Sequence, residues 1–195
     1  SDVHLFRPLG TYGSSGCGLA WHNELLAAYA KEHWTLTVDA DELLVYPACE
    51  RVGLRGLTEH LASLGDNSMP CFLLDMYGDG PLGASPFSAG ASLLEAFPLF
   101  DSDSYSYLDL HGREAPIPTR GGVRERLFWR DRDRAQPPPY LIKIPLVLWS
   151  EATRFVASTH LVEGVRTSCR VTGALLHFKF VTGFVARVAL EASRG

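Results

Sequence analysis

Trp34-Thr35-Leu36-Thr37-Val38-Asp39-Ala40-Asp41-Glu42-Leu43-Leu44-Val45-Tyr46-Pro47 holds two hydrophobic runs separated by three acids. An apolar strand cannot bury carboxylates unless they are paired or bound to a metal. Three acids within four positions also repel one another. The segment therefore predicts a strand that ends at a site and presents carboxylates to a divalent cation. Alternate residues of an extended segment share a face, so Asp39 and Asp41 can point the same way. Two such carboxylates can grip Mg²⁺ or Mn²⁺ and leave positions open for diphosphate oxygens. A bare Asp-x-Asp is a common pattern that also serves as a polar turn or helix cap. Its place at a strand end, with Glu42 beside it, gives this one its weight.

Around this segment the chain alternates helix and strand. Gly10 to Gly18 is rich in Gly and Ser and predicts a loop. Leu19, Leu25, Leu26, Tyr29 and Ala30 recur near helical spacing over Leu19 to Lys31. A second helix is predicted from Leu54 to Leu64, closed by Gly65. Pro70 to Tyr77 reads as a buried strand. Strands are also predicted at Val3–Phe6, Arg124–Trp129, Tyr140–Trp149, Phe155–Val162 and Cys169–Phe180, and a closing amphipathic helix at Phe184–Ser193. Gly78 to Pro118 is irregular, and segments of that length are usually functional or mobile. Arg130 to Arg134 alternates in charge and reads as a solvated loop. The whole predicts an α/β domain.

The chain has 195 residues, enough for one domain spanning 1–195 with a sizeable core. Its 46% hydrophobic and 21% charged content marks it as globular. A net charge of -4 without a basic run argues against nucleic-acid binding, which calls for a basic patch. No apolar segment reaches membrane-spanning length. Cys17, Cys49, Cys71 and Cys169 form no Cys-x-x-Cys pair, which predicts reduced thiols in a cytoplasmic protein, most simply small buried hydrophobes. The chain opens without methionine on an apolar run and reads as the later part of a longer protein.

Three further residues attract attention. His160 ends Phe155-Val156-Ala157-Ser158-Thr159-His160, and His177 lies inside Ala174-Leu175-Leu176-His177-Phe178-Lys179-Phe180. A lone strand histidine is by default a satisfied core residue. Its weight as a ligand rises where a metal site already needs a neutral donor, and His177 is the first candidate. Lys143 interrupts Tyr140-Leu141-Ile142-Lys143-Ile144-Pro145-Leu146-Val147 and must either snorkel or meet an anion. Pro145 predicts an edge strand or a strand end. Gly121-Gly122 allows close backbone approach to a substrate, and Glu125 is an acid between Arg124 and Arg126.

With these residues in view, the chain resembles GT-A-type glycosyltransferases. More narrowly it resembles bacterial family-two-like proteins with an Asp-Ala-Asp-Glu-Phe/Leu motif, distantly similar to the family-ninety-two group. Four segments carry the resemblance: Trp34 to Pro47, Arg120 to Phe128, Lys143 to Val147, and Leu175 to Phe180; Ser158-Thr159-His160 also fits. The resemblance implies a GT-A-like, Rossmann-like mixed sheet flanked by helices, as the C-terminal part of the full fold without the half that binds the nucleotide base. It implies a nucleotide-sugar donor, an acceptor of unspecified type, and Mn²⁺ or Mg²⁺ held by Asp39, Asp41 and His177, with His160 as a further candidate. Lys143, Gly121 and Gly122 would line the donor diphosphate and the acceptor pocket. The Glu-Asp pair expected after the glycine loop is absent, which leaves Glu125 and Asp101 as candidate bases. Tyr105 and Tyr107 could stack on sugars.

Two other readings compete. Thr35 to Asp41 with Gly78-Asp79-Gly80 resembles the haloacid-dehalogenase phosphohydrolases, but Leu43 stands where that family wants Thr or Val. The other is a non-catalytic sugar- or partner-binding remnant.

Overall fold

The computed structural model describes residues 3–81, 90–107, 118–129 and 137–181. Its centre is a five-stranded mixed sheet in the order β1-β6-β3-β9-β2. The members are β1 (Trp34–Leu36), β2 (Glu42–Val45), β3 (Ser68–Asp75), β6 (Ile142–Leu148) and β9 (Gly173–His177). Three of the pairings are antiparallel, and β3 with β9 is parallel. Two small hairpin sheets accompany it: β4 (Tyr105–Tyr107) with β5 (Thr119–Gly121), and β7 (Arg154–Val156) with β8 (Ser158–Glu163).

Helices cover the sheet sparingly. The amphipathic α2 (Leu54–Ser63) lays Leu57 and Leu61 on a core with Met69, Cys71, Leu73, Leu141, Leu146 and Leu175. It stops at Gly65, whose φ of 76° suits glycine. On the other side of β6, α1 (Leu19–Tyr29) contributes Leu19 and Leu26 to a cluster with Ile144, Val147, Trp149 and Phe155. The Asn23 amide fixes α1 to β7: it donates to the Phe155 carbonyl at 3.0 Å and accepts the Phe155 N–H at 2.8 Å. The remaining helices among the described residues are α3 (Leu93–Ala96) and α4 (Gly122–Phe128).

The sheet is curled, and one side-chain contact agrees with that shape. Strands β2 and β6 are separated by β9 and β3. In a flat sheet they would stand roughly 14 Å apart, given about 4.8 Å between neighbours. Yet Lys143 Nζ on β6 lies 2.7 Å from Glu42 Oε2 on β2. The curl also lets residues 37–41 cross from one edge of the sheet to the other, because β1 and β2 are its two edges. Thr37 N–H donates to the Pro145 carbonyl at 2.9 Å, and Phe178 N–H to the Asp41 carbonyl at 2.8 Å.

Several expectations are corrected. Val3–Phe6 is not a strand, and Val3 and Leu5 are almost wholly exposed with no sheet partner among the described residues. Residues 124–129 are mostly helical: Gly121 and Gly122 turn the chain into α4, and the apolar Val123, Leu127 and Phe128 fit that spacing as well as a strand's. The run 155–162 breaks at Ala157, whose φ is 60°, into β7 and β8. Cys17, Cys49 and Cys169 are exposed free thiols, and only Cys71 is buried.

Pro145 does not mark an edge, because β6 lies between β1 and β3. A bulge accommodates it. Met69 pairs with Leu146 and Cys71 with Lys143, so two steps along β3 match three along β6. The extra residue falls where Pro70 and Pro145 both lack an N–H, so no ladder donor is wasted. The bulge also brings Lys143 and Leu146, three apart, onto one inward face. The predicted closing helix at 184–193 and the charged run at 130–134 lie outside the described residues. No helix among the described residues is long and apolar enough to cross a membrane.

Candidate functional site

The acids at 39–42 occupy the crossover and the first position of β2. From there they divide between Lys143 and His177. Lys143 is completely buried. Its ammonium donates to Glu42 Oε2 at 2.7 Å and to Asp39 Oδ2 at 3.2 Å. The Glu42 side chain is 1% exposed, that of Asp39 55%. Glu42 Oε2 also accepts the Asp39 N–H at 2.8 Å, which locks the turn. Lys143 thus meets an anion, as its sequence setting predicts, but the anion belongs to this chain. Its ammonium lies beneath the surface, where a diphosphate would first have to displace Asp39.

His160 sits above this group on β8, its Nδ1 3.2 Å from the Ile142 carbonyl. Burial and the nearby Lys143 charge lower its basicity. The buried Cys71 thiol, the cross-strand neighbour of Lys143, is pushed up to about 12, chiefly by burial.

The second constellation runs along one row of the sheet. Glu42 pairs with His177, and His177 with Asp75. The Asp75 side chain, 2% exposed, receives a two-pronged contact from Arg124: Nη2 to Oδ1 at 2.7 Å and Nε to Oδ2 at 3.0 Å. His177 Nδ1 lies 2.8 Å from the same Oδ1. Burial alone would raise the Asp75 carboxyl, but His177 and Arg124 outweigh it and hold the group below the usual carboxylate value. The other ring nitrogen, Nε2, lies 3.6 Å from Asp41 Oδ2; the Asp41 side chain is 45% exposed, that of His177 12%. Lys179 feels the charges of this group. Desolvation and the Arg124 charge lower its ammonium, while Asp75 and Asp41 oppose that shift.

Asp41 Oδ2 and His177 Nε2 are 3.6 Å apart. One ion with bonds of about 2.1 Å bridges two donors this far apart. The His177–Asp75 hydrogen bond is the usual support for a metal-bound imidazole. Among the described residues no group of three or more His, Cys, Asp or Glu could hold a metal ion. An ion here would rest on two protein ligands and fill its shell from solvent or substrate. Asp39 is drawn toward Lys143, and His160 belongs to the Lys143 group, so neither stands with the Asp41–His177 pair as the sequence reading places it.

The remaining candidates have local employment. Gly121 has φ 125°, and a Cβ there would lie 2.1 Å from the Ser104 carbonyl oxygen; at Gly122 one would lie 2.8 Å from the Tyr105 ring. Their close approach is to β4, not to a substrate pocket. Asp101 accepts from Tyr77 Oη at 2.7 Å, Arg126 Nη2 at 2.9 Å, and Ser104 Oγ and Arg126 Nε at 3.1 Å. Burial raises its carboxyl, but these donors bring it below the usual value and make it a weak base. Glu125 lies half-buried in the first turn of α4. Tyr105 packs edge-on to Phe72 at 4.9 Å, whereas Tyr107 is exposed.

Sequence reasoning missed Asp75 and the role of Arg124. The signal was present, because the apolar run of β3 ends in an acid just as the run before Asp39 does. No protein-family model, curated protein or solved structure matches the chain.

Proposed function

We propose that the chain is a GT-A-type, metal-dependent glycosyltransferase domain that binds a nucleotide-sugar donor through Mn²⁺ or Mg²⁺ held by Asp41 and His177. The observation that carries this reading is the facing pair Nε2 and Oδ2. With Asp75 occupying Nδ1, two electron-rich groups meet at 3.6 Å on a half-exposed rim, and a shared cation relieves that opposition.

A bound ion of this kind offsets the charge that develops on a departing diphosphate. His177 and Asp41 would bind and orient it. Lys179, whose ammonium feels the charges of Asp75 and Asp41, would supply a second cation for phosphate oxygens and take the part first expected of Lys143. Lys143 instead braces Asp39 and Glu42, so that the crossover holds Asp41 in place.

Calorimetric titration with Mn²⁺ and a nucleoside diphosphate tests the reading. Metal-dependent diphosphate binding is expected, lost in Asp41→Ala and weakened in Lys179→Ala with Mn²⁺ binding retained. Diphosphate binding that ignores Mn²⁺ and survives Asp41→Ala would sink it. A second reading, binding without turnover, is favoured by the state of Asp101, whose oxygens are saturated by donors. Donor hydrolysis or transfer separates the two, and activity on a simple phosphate ester would favour the phosphohydrolase instead.

A further inference from the structure

Asp75 is a buried carboxylate, its side chain 2% exposed. Its surroundings nevertheless dictate what its neighbour presents to Asp41. Both of its oxygens accept from Arg124 in the forked geometry that suits a charged carboxylate. A carboxylate so held only accepts hydrogen bonds. His177 Nδ1, 2.8 Å from Oδ1, must therefore be the donor, because a bare ring nitrogen at that distance would set two lone pairs against each other. Arg124 Nη2 also lies 3.2 Å from Nδ1, but with Nδ1 protonated both atoms are donors and that contact is proximity alone. In the neutral ring the remaining nitrogen, Nε2, then carries the lone pair.

We propose that Asp75 is a positioning residue: held by Arg124, it keeps the His177 proton on Nδ1 and turns the Nε2 lone pair toward Asp41. The proposal rests on the cation-binding reading for its purpose, but not for its test. Neutral histidine has two tautomers, and only the Nδ1–H form offers Nε2 as a ligand. A buried, Arg-paired carboxylate removes the choice before any ligand arrives. The cost of burying that charge is met by α4, which delivers Arg124, and so the glycine turn at 121–122 acts on the ring through two intermediaries.

Imidazole ¹⁵N shifts of the full chain test this without metal, with His177→Gln identifying the resonances. Above the ordinary histidine range, the expected wild-type spectrum has Nδ1 protonated and Nε2 bare. An Nε2-protonated ring, or an imidazolium persisting at that pH, would overturn the proposal. Asp75→Asn should abolish the preference, and an unchanged tautomer in that variant would equally overturn it. If Asp75→Asn fails to fold, the wild-type spectrum still decides. In a folded variant Mn²⁺ affinity should fall about 10- to 100-fold, the usual effect of losing such a support. Should wild type show the Nδ1–H tautomer and yet bind no Mn²⁺, the cation reading falls and the positioning role stands.

Discussion

The two carboxylate–cation groups are built from the same kinds of residue and end differently. Around Lys143 the charges close on one another: ammonium, buried Glu42 and half-exposed Asp39 satisfy themselves inside the curl of the sheet. Around Asp75 the chain of contacts stays open. Arg124 and His177 satisfy the buried acid, and the second nitrogen of His177 is left beside the half-exposed Asp41. The difference lies in the residue at which each group ends. A lysine ammonium only donates, and its charge ends the chain. A histidine has two unlike ends, so anchoring one of them creates a defined acceptor at the other.

The largest expected effect attacks the closed group. Lys143→Met leaves Glu42 buried without its cation and should cost about 3–5 kcal/mol in urea unfolding. The Lys143→Met/Glu42→Leu double variant should recover much of that, because a buried pair replaced by apolar residues is often tolerated. A double no better than the single would break the comparison. Next comes Gly121→Ala, whose methyl would strike the Ser104 carbonyl; a loss of about 1–3 kcal/mol is expected. It should weaken Mn²⁺ binding as well, since α4 carries Arg124.

Asp41→Ala reverses the balance. Its half-exposed side chain should shift stability by no more than about 0.5 kcal/mol, while Mn²⁺ affinity, followed by calorimetry, falls sharply. The smallest effect concerns pH. His160 is less basic in the folded protein than its ordinary value of 6.5. The unfolded chain therefore binds the extra proton first as pH falls below that value, and stability declines down to the folded pKa. His160→Gln should flatten this slope in thermal melts taken between neutral and mildly acid pH. Asp75 acts in the same sense at lower pH. Its folded pKa is depressed, so its contribution is present above the ordinary value of 3.8 and lost as pH falls below it.

Much of this was legible in the sequence. The acid run after Trp34 marked the crossover, the period of Leu54 to Leu64 marked α2, and His177 was singled out for its apolar setting. The failures share a cause: one residue pattern served two geometries. Arg124 to Trp129 is three charged residues followed by three large apolar ones, a block that a strand or a short helix can hold, and the positive φ values of Gly121 and Gly122 precede a helix. Pro145 signals an edge unless the partner strand has its own proline at the same bulge, a tertiary coincidence that no local pattern reveals. Asp75 was hidden because a single acid closing a strand looks ordinary until Arg124 arrives from 49 residues away.

The order of the strands carries a consequence for how the protein is made. Every ladder of the five-stranded sheet joins a strand before Tyr77 to one after Leu141: β1 and β3 with β6, and β2 and β3 with β9. No two strands adjacent in the chain are neighbours there. During synthesis the first 141 residues can form α1 and α2 but not one rung of the central sheet. The chain must hold its apolar β3 segment unpaired until β6 emerges. Folding of this sheet should accordingly be slow, in the range of milliseconds to seconds expected of non-local pairing, and nascent chains stopped before Ile142 should be aggregation-prone rather than half-folded.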